Sequence, residues 1–232
     1  MVCSIYLSGG GSFEETYQLD DLFLKNSGPR ILYLPVGLKR TFSGYDECVN
    51  WFNKVVTSHS YFKKVTVWIE LTNKVENLSK DNFDAVYIGG ASDTFRLHEL
   101  LSSNNFYPAL SNFVQDGGLI YGGSGGATIL GRSINYDQNM KSLPTINMKS
   151  LDICRGYSIF AHLNKDNYSI INSSPHGDVI GIPEGGGCVF DHITGELVYL
   201  GLKTGIIVAD GFCYSLNNGE SINVLTLKNN EN

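Results

Sequence analysis

The stretch Tyr121-Gly122-Gly123-Ser124-Gly125-Gly126-Ala127 constrains this chain more than any other. A turn signal, Asp116-Gly117-Gly118, and a short apolar run, Leu119-Ile120-Tyr121, precede it; Ala127-Thr128-Ile129-Leu130 follows and reads as the opening of a helix. Strand, glycine-bracketed serine, helix is the context of a nucleophile elbow, where the strained backbone leaves almost no room for neighbouring side chains. Gly122 and Gly126 stand two before and two after Ser124, in the G-x-S-x-G form. A hydroxyl held there is exposed at the top of a sheet, with the Gly125 amide aimed at a developing oxyanion. The same residues also allow a loop that binds an anion through backbone N–H groups, or one that merely turns.

The surrounding pattern sets the fold class. Ser4 to Leu7 is an apolar strand running into the Gly-rich loop Ser8-Gly9-Gly10-Gly11-Ser12, and Arg30 to Pro35 is a second apolar run. Tyr45 to Ser58 places Cys48, Trp51, Phe52 and Val55 at helical spacing. Val65 to Ile69 and Phe83 to Ile88 read as strands. Asp93 to Leu101, with Ser92 or Asp93 as N-cap, and Phe106 to Val114 read as helices. This alternation from about residue 4 to 130 predicts a doubly wound, mostly parallel sheet. After residue 130 the rhythm changes. Tyr157 to His162 is a short strand, Val179 to Glu184 and Gly187 to Phe190 look like a hairpin, and Leu197–Gly201, Gly205–Ala209 and Val224–Leu227 follow at hairpin spacing. The C-terminal third therefore reads as a largely antiparallel β extension, and residues 1–232 as a single α/β domain with no internal linker or repeat.

Composition narrows the function. A net charge of −6 gives no basic surface for nucleic acid, and no apolar run is long enough to span a membrane. The N-terminus reads as a first strand rather than a signal peptide, and the five scattered cysteines form neither a disulfide framework nor a zinc motif. The expectation from composition is a cytoplasmic protein with reduced thiols.

A serine nucleophile needs a base, and the chain has five histidines. His59 sits at a helix end among serines and reads as solvated, His98 as a helix-surface residue, and His176 and His192 lie in turn-like stretches. His162 ends an apolar strand and opens a polar loop, which is where α/β enzymes place groups facing the active-site crevice; the bland alternative is a strand-end residue bonded to a turn. Gly89-Gly90, at another strand end, can bring a second N–H beside that of Gly125, or simply make a tight turn. For the orienting acid, Asp137 and Asp152 lie between Ser124 and His162, and Asp137 is the better placed.

Together these pieces resemble peptidase family S51, the group of dipeptidase E and cyanophycinase. Tyr87-Ile88-Gly89-Gly90-Ala91-Ser92-Asp93-Thr94-Phe95-Arg96-Leu97 resembles that family's strand–Gly-Gly–Asn-Thr segment. Tyr121 to Ala127 resembles its elbow, Ile159-Phe160-Ala161-His162-Leu163-Asn164 its histidine strand, and Ile182-Pro183-Glu184-Gly185 a later loop that often carries an acid. The resemblance implies a fold like that of class I glutamine amidotransferases, Ser124 as nucleophile, His162 as base, and Gly90 and Gly125 as oxyanion donors. It implies cleavage of short peptides with an acidic N-terminal (aspartyl) or β-aspartyl residue, so the expected partner is a small peptide or amide, with no metal or cofactor needed and a homodimer allowed. The family's acid position falls near Asn139-Met140-Lys141, which makes Asp137 the expected acid, with Asp152 and Glu184 as the other carboxylates. A non-catalytic binding or regulatory protein of the same fold, or an anion- or nucleotide-binding module using Ser8 to Ser12 and Ser92 to Thr94, are the rival readings.

Overall fold

Continuous apolar runs become the central strands of the chain, and the amphipathic segments between them pack over the two faces. The computed structural model describes residues 4–38, 45–134, 148–172 and 177–228. In chain order it contains strand β1 (Ser4–Ser8), helix α1 (Phe13–Asn26), β2 (Arg30–Leu34), α2 (Asp46–Ser58), β3 (Lys64–Val67), β4 (Ala85–Ile88), α3 (Thr94–Ser103), α4 (Phe106–Gln115), β5 (Leu119–Gly123) and α5 (Gly125–Leu130). There follow β6 (Ser133–Ile134), β7 (Met148–Lys149), β8 (Ser158–Leu163), α6 (Tyr168–Asn172), β9 (Val179–Pro183), β10 (Gly186–Asp191), β11 (Glu196–Gly201), β12 (Gly205–Ala209), β13 (Phe212–Leu216) and β14 (Ser221–Asn223).

The main sheet has eight strands in the order β14-β11-β10-β1-β5-β4-β2-β3. Strands β1, β5, β4, β2 and β3 run parallel, and β10, β11 and β14 extend the sheet antiparallel. A second sheet orders β13-β12-β9-β8, antiparallel except for the β8–β9 pair. This is the doubly wound α/β class with a largely antiparallel C-terminal extension that the sequence predicts.

Helix α1 begins with a reciprocal capping box, in which the Ser12 hydroxyl accepts from Glu15 N–H and the Glu15 carboxylate from Ser12 N–H. It buries Leu19, Phe23 and Leu24 against the sheet face that α2 also covers. The side-chain period of two puts one tyrosine from each of four neighbouring strands on that face. Tyr6 pairs with Tyr121, Tyr121 with Tyr87 and Tyr87 with Tyr33 in direct register. The Tyr87 and Tyr121 rings stack at 4.2 Å, and Phe23 packs edge-on to Tyr6, Tyr87 and Tyr121. Aromatic burial of this kind is the largest apolar contribution a side chain makes.

Three local expectations are corrected. Val179–Glu184 and Gly187–Phe190 do not form a hairpin: β9 pairs with β8 and β12 in the small sheet, whereas β10 pairs with β1 and β11 in the large one. The chain crosses between sheets at Glu184-Gly185, because both strands are apolar enough to be buried in different layers. The expected strand Val224–Leu227 is instead a turn and a short 3₁₀ segment, with Thr226 capping back onto the Asn223 carbonyl. His59 is buried and not solvated; its ring stacks on Tyr17 at 4.2 Å and its nitrogens face the carbonyls of Val55 and Tyr17.

Candidate active site

Ser124 links β5 to α5 with φ 52° and ψ −115°, a backbone conformation that costs a non-glycine residue about 1–3 kcal/mol. Its neighbours show why they lack side chains. A Cβ on Gly122 would lie 2.6 Å from the Gly126 carbonyl oxygen, and one on Gly126 would lie 2.5 Å from that of Ile88. A Cβ on Gly125 would lie 2.7 Å from the Ala91 Cβ, so the glycine here complements an alanine on the facing turn. Helix α5 has no side-chain cap, and its first-turn amides, Gly125 among them, have no intrahelical acceptor.

Strand β8 delivers His162 by a different device. The β8–β9 register slips between Ala161 and Leu163, and His162 at that bulge has φ 57°. The bulge turns its side chain out of the alternating pattern. Asn164 and Asn167 donate their side-chain amides to the His162 carbonyl at 3.2 and 3.0 Å, fixing the bulge from the other side. The imidazole Nε2 then lies 2.6 Å from Ser124 Oγ.

The other ring nitrogen, Nδ1, lies 2.7 Å from Oε1 of Glu184, on the turn between β9 and β10. A carboxylate accepts only, so these partners assign the proton to Nδ1 and leave Nε2 to accept from the Ser124 hydroxyl. Sequence reasoning named Asp137 for this place. Asp137 lies outside the described residues, and the Nδ1 position is filled by Glu184. Asp152 is elsewhere, closing a turn by accepting from Gly156 N–H at 3.0 Å. His98, on α3, bonds the Tyr107 hydroxyl at 2.7 Å.

Gly90 comes close on the other side: a Cβ placed on it would sit 3.6 Å from the Ser124 Cβ. The next residues, Ala91 to Asp93, lead into α3, where the Asp93 carboxylate caps Arg96 N–H at 3.0 Å. Ser124, His162 and Gly90 open onto a cavity of about 580 Å³ whose wall includes Tyr33, Trp51, Tyr87 and Tyr121. Among its described lining residues no lysine or arginine occurs.

The sequence signature of peptidase family S51 matches residues 4–192. The chain belongs to peptidase family S51. No curated protein matches its sequence. Among solved structures, a peptidase from an acI-B1 Actinobacterium superposes with a TM-score of 0.76 at 18% identity, covering 96% of this chain and 97% of that one. A candidate peptidase E from Listeria monocytogenes EGD-e superposes with a TM-score of 0.64 at 20% identity, covering 86% of this chain and 98% of that one. At these identities the likeness carries the fold. Among the described residues no helix is long and apolar enough to cross a membrane.

Proposed function

We propose that this member of family S51 is a serine-type peptidase that cleaves short peptides through an acyl-enzyme. The observation that supports it is the continuous relay from Ser124 Oγ through both nitrogens of His162 to Glu184, at 2.6 and 2.7 Å. Both spacings are within reach for a nucleophile, its base and the group that orients the base. Ser124 attacks the scissile carbonyl carbon and gives its proton to His162 Nε2. Glu184 holds the imidazole in the productive tautomer and stabilises the imidazolium. The N–H groups of Gly90 and Gly125 donate to the tetrahedral oxyanion. Collapse passes the proton from Nε2 to the leaving amine; water then attacks the acyl-enzyme, with His162 again as base.

For the substrate, we propose aspartyl or β-aspartyl dipeptides, a reading that rests on the family resemblance. The cavity of about 580 Å³ is of a size for a short peptide. The test is turnover of a dipeptide panel, including aspartyl and β-aspartyl members, by the wild type and Ser124→Ala. The expected result is hydrolysis by the wild type, loss on the order of 10⁶ in rate in the variant, and an acyl adduct on Ser124 in the mass spectrum. Undiminished turnover by Ser124→Ala rules the mechanism out, and an inactive wild type favours a binding protein of the same fold.

A further inference from the structure

We propose that the first Gly-rich loop, Ser8-Gly9-Gly10, is the positioning device of the catalytic groups, with the Ser8 hydroxyl holding the peptide plane that orients His162. The inference rests on the serine-peptidase reading of the site. Three successive carbonyl oxygens of this loop each take an amide from one of the three segments that carry the chemistry. Ser8 accepts from Ser124 N–H at 2.9 Å, Gly9 from His162 N–H at 3.2 Å, and Gly10 from Gly185 N–H at 2.8 Å. The nucleophile, the base and the residue next to the acid belong to β5–α5, β8 and the β9–β10 crossing, which have no sequence proximity. One stretch of backbone sets their mutual register.

The loop's polarity is opposite to that of an anion cradle, which turns its N–H groups toward the ligand. Here the Gly9 N–H donates to the Gly186 carbonyl at 3.0 Å, the Gly10 N–H to Ser8 Oγ at 3.2 Å and the Ser12 N–H to Glu15 Oε2 at 2.9 Å. The carbonyls face the catalytic segments and these amides are engaged elsewhere.

The peptide unit joining Gly9 to Gly10 is held on both sides. Its C=O takes the His162 amide, and its N–H is anchored by the Ser8 hydroxyl, which is 2% exposed and so meets little competing water. Beyond that unit, the Gly10 α-carbon forms a wall for the imidazole. A Cβ there would lie 2.6 Å from Cε1 and 3.1 Å from Nε2 of His162, and φ of +89° suits glycine alone. Any tilt of this plane moves the base relative to both of its partners. Displacement of a reacting group by about 1 Å costs on the order of 10²-fold in rate.

The test uses Ser8→Ala, Gly10→Ala, Ser124→Ala and, as a strain control, Gly211→Ala, whose φ is +80° with nothing within 4 Å. Expected for Ser8→Ala is a fall in kcat of about 10–100-fold with KM near wild type, and a shift or loss of the downfield NMR resonance of the His162 Nδ1 proton. Gly10→Ala loses more, and Gly211→Ala keeps wild-type kcat despite its backbone strain. Wild-type kcat in folded Ser8→Ala, beside an inactive Ser124→Ala, overturns the positioning role and leaves the peptidase reading standing. An equal fall in Gly10→Ala and Gly211→Ala overturns it too, and if Gly10→Ala fails to fold, Ser8→Ala decides alone. Full turnover by Ser124→Ala overturns the peptidase reading and the positioning role with it.

Discussion

Oε1 of Glu184 lies 2.7 Å from Nδ1 of His162, His162 reaching out from β8 and Glu184 from the turn that leaves β9. The Glu184 side chain is 54% exposed, so it adds little to packing and its contribution is to orient and to charge. Glu184→Gln is therefore expected to lower kcat by about 10²–10⁴-fold, because the amide keeps the shape but not the charge that steadies an imidazolium. The melting temperature should stay near wild type, and Asp137→Asn should retain activity. Steady-state kinetics on the three proteins check this; full activity in Glu184→Gln assigns the orienting role to another group.

Gly122 offers a test of the elbow that separates stability from chemistry. A Cβ there meets the Gly126 carbonyl and the backbone of Ala127 at 2.6–2.7 Å, and backbone cannot step aside as a flexible side chain would. Gly122→Ala should lower unfolding free energy by about 1–3 kcal/mol, measured by urea denaturation, and should impair catalysis by displacing Ser124. A variant as stable as the wild type would show that α5 can slide relative to β5.

How much of this was legible in the sequence follows the range of each interaction. The strand–Ser124–helix turn and the parallel alternation were legible because glycine bracketing and apolar periodicity are local, and the place of His162 on a strand end was visible in the chain itself. The acid was not. Glu184 reaches His162 only because β8 and β9 pair in parallel and because the chain changes sheets at Glu184-Gly185, where a hairpin reading would place a solvent-exposed tip. His59 failed for a similar reason: flanking serines suggest solvent, but Tyr17 of α1 folds over its ring. The signal available for Glu184 was the Pro-Glu-Gly turn itself, weaker than carboxylate order along the chain.

Arg30 and Asp84 join the starts of β2 and β4 through a forked pair, with Nη2 to Oδ1 at 2.7 Å and Nε to Oδ2 at 3.1 Å, and the Arg30 N–H also donates to Oδ2. The Arg30 hydrogen bonds hold the Asp84 carboxyl below its ordinary value of 3.8. A depressed carboxylate contributes stability above the unfolded value and loses it as pH falls through the folded one. Asp84→Asn should thus cost about 1–3 kcal/mol near neutrality, with the gap to wild type closing below pH ~4. Denaturation curves at several pH values check this, and a gap independent of pH would mean that the charge is immaterial.

Asp20 gives the opposite sign. It is 1% exposed on α1; Oδ2 accepts from the Thr16 hydroxyl at 2.8 Å, while Oδ1 and the neighbouring Tyr121 hydroxyl are buried without a hydrogen bond of ordinary geometry. Burial pushes its carboxyl up from 3.8 to about 6, against the smaller opposing effects of Tyr121, Thr16 and His59. Between those values the unfolded chain has released its proton and the folded one keeps it, so stability falls as pH rises. The span corresponds to ~3 kcal/mol at one proton, complete once the folded group has ionised. Asp20→Asn carries no such titration. The wild type is therefore expected to lose stability relative to Asp20→Asn between pH 4 and 6 and to run parallel to it above about pH 7. Any constant offset between the two proteins reflects the amide's own fit, so the slope is the informative quantity. Urea denaturation of both across pH 4–8 measures it. Parallel curves through the whole range would mean that Oδ1 is stabilised as an anion, by Tyr121 moving into hydrogen-bond range.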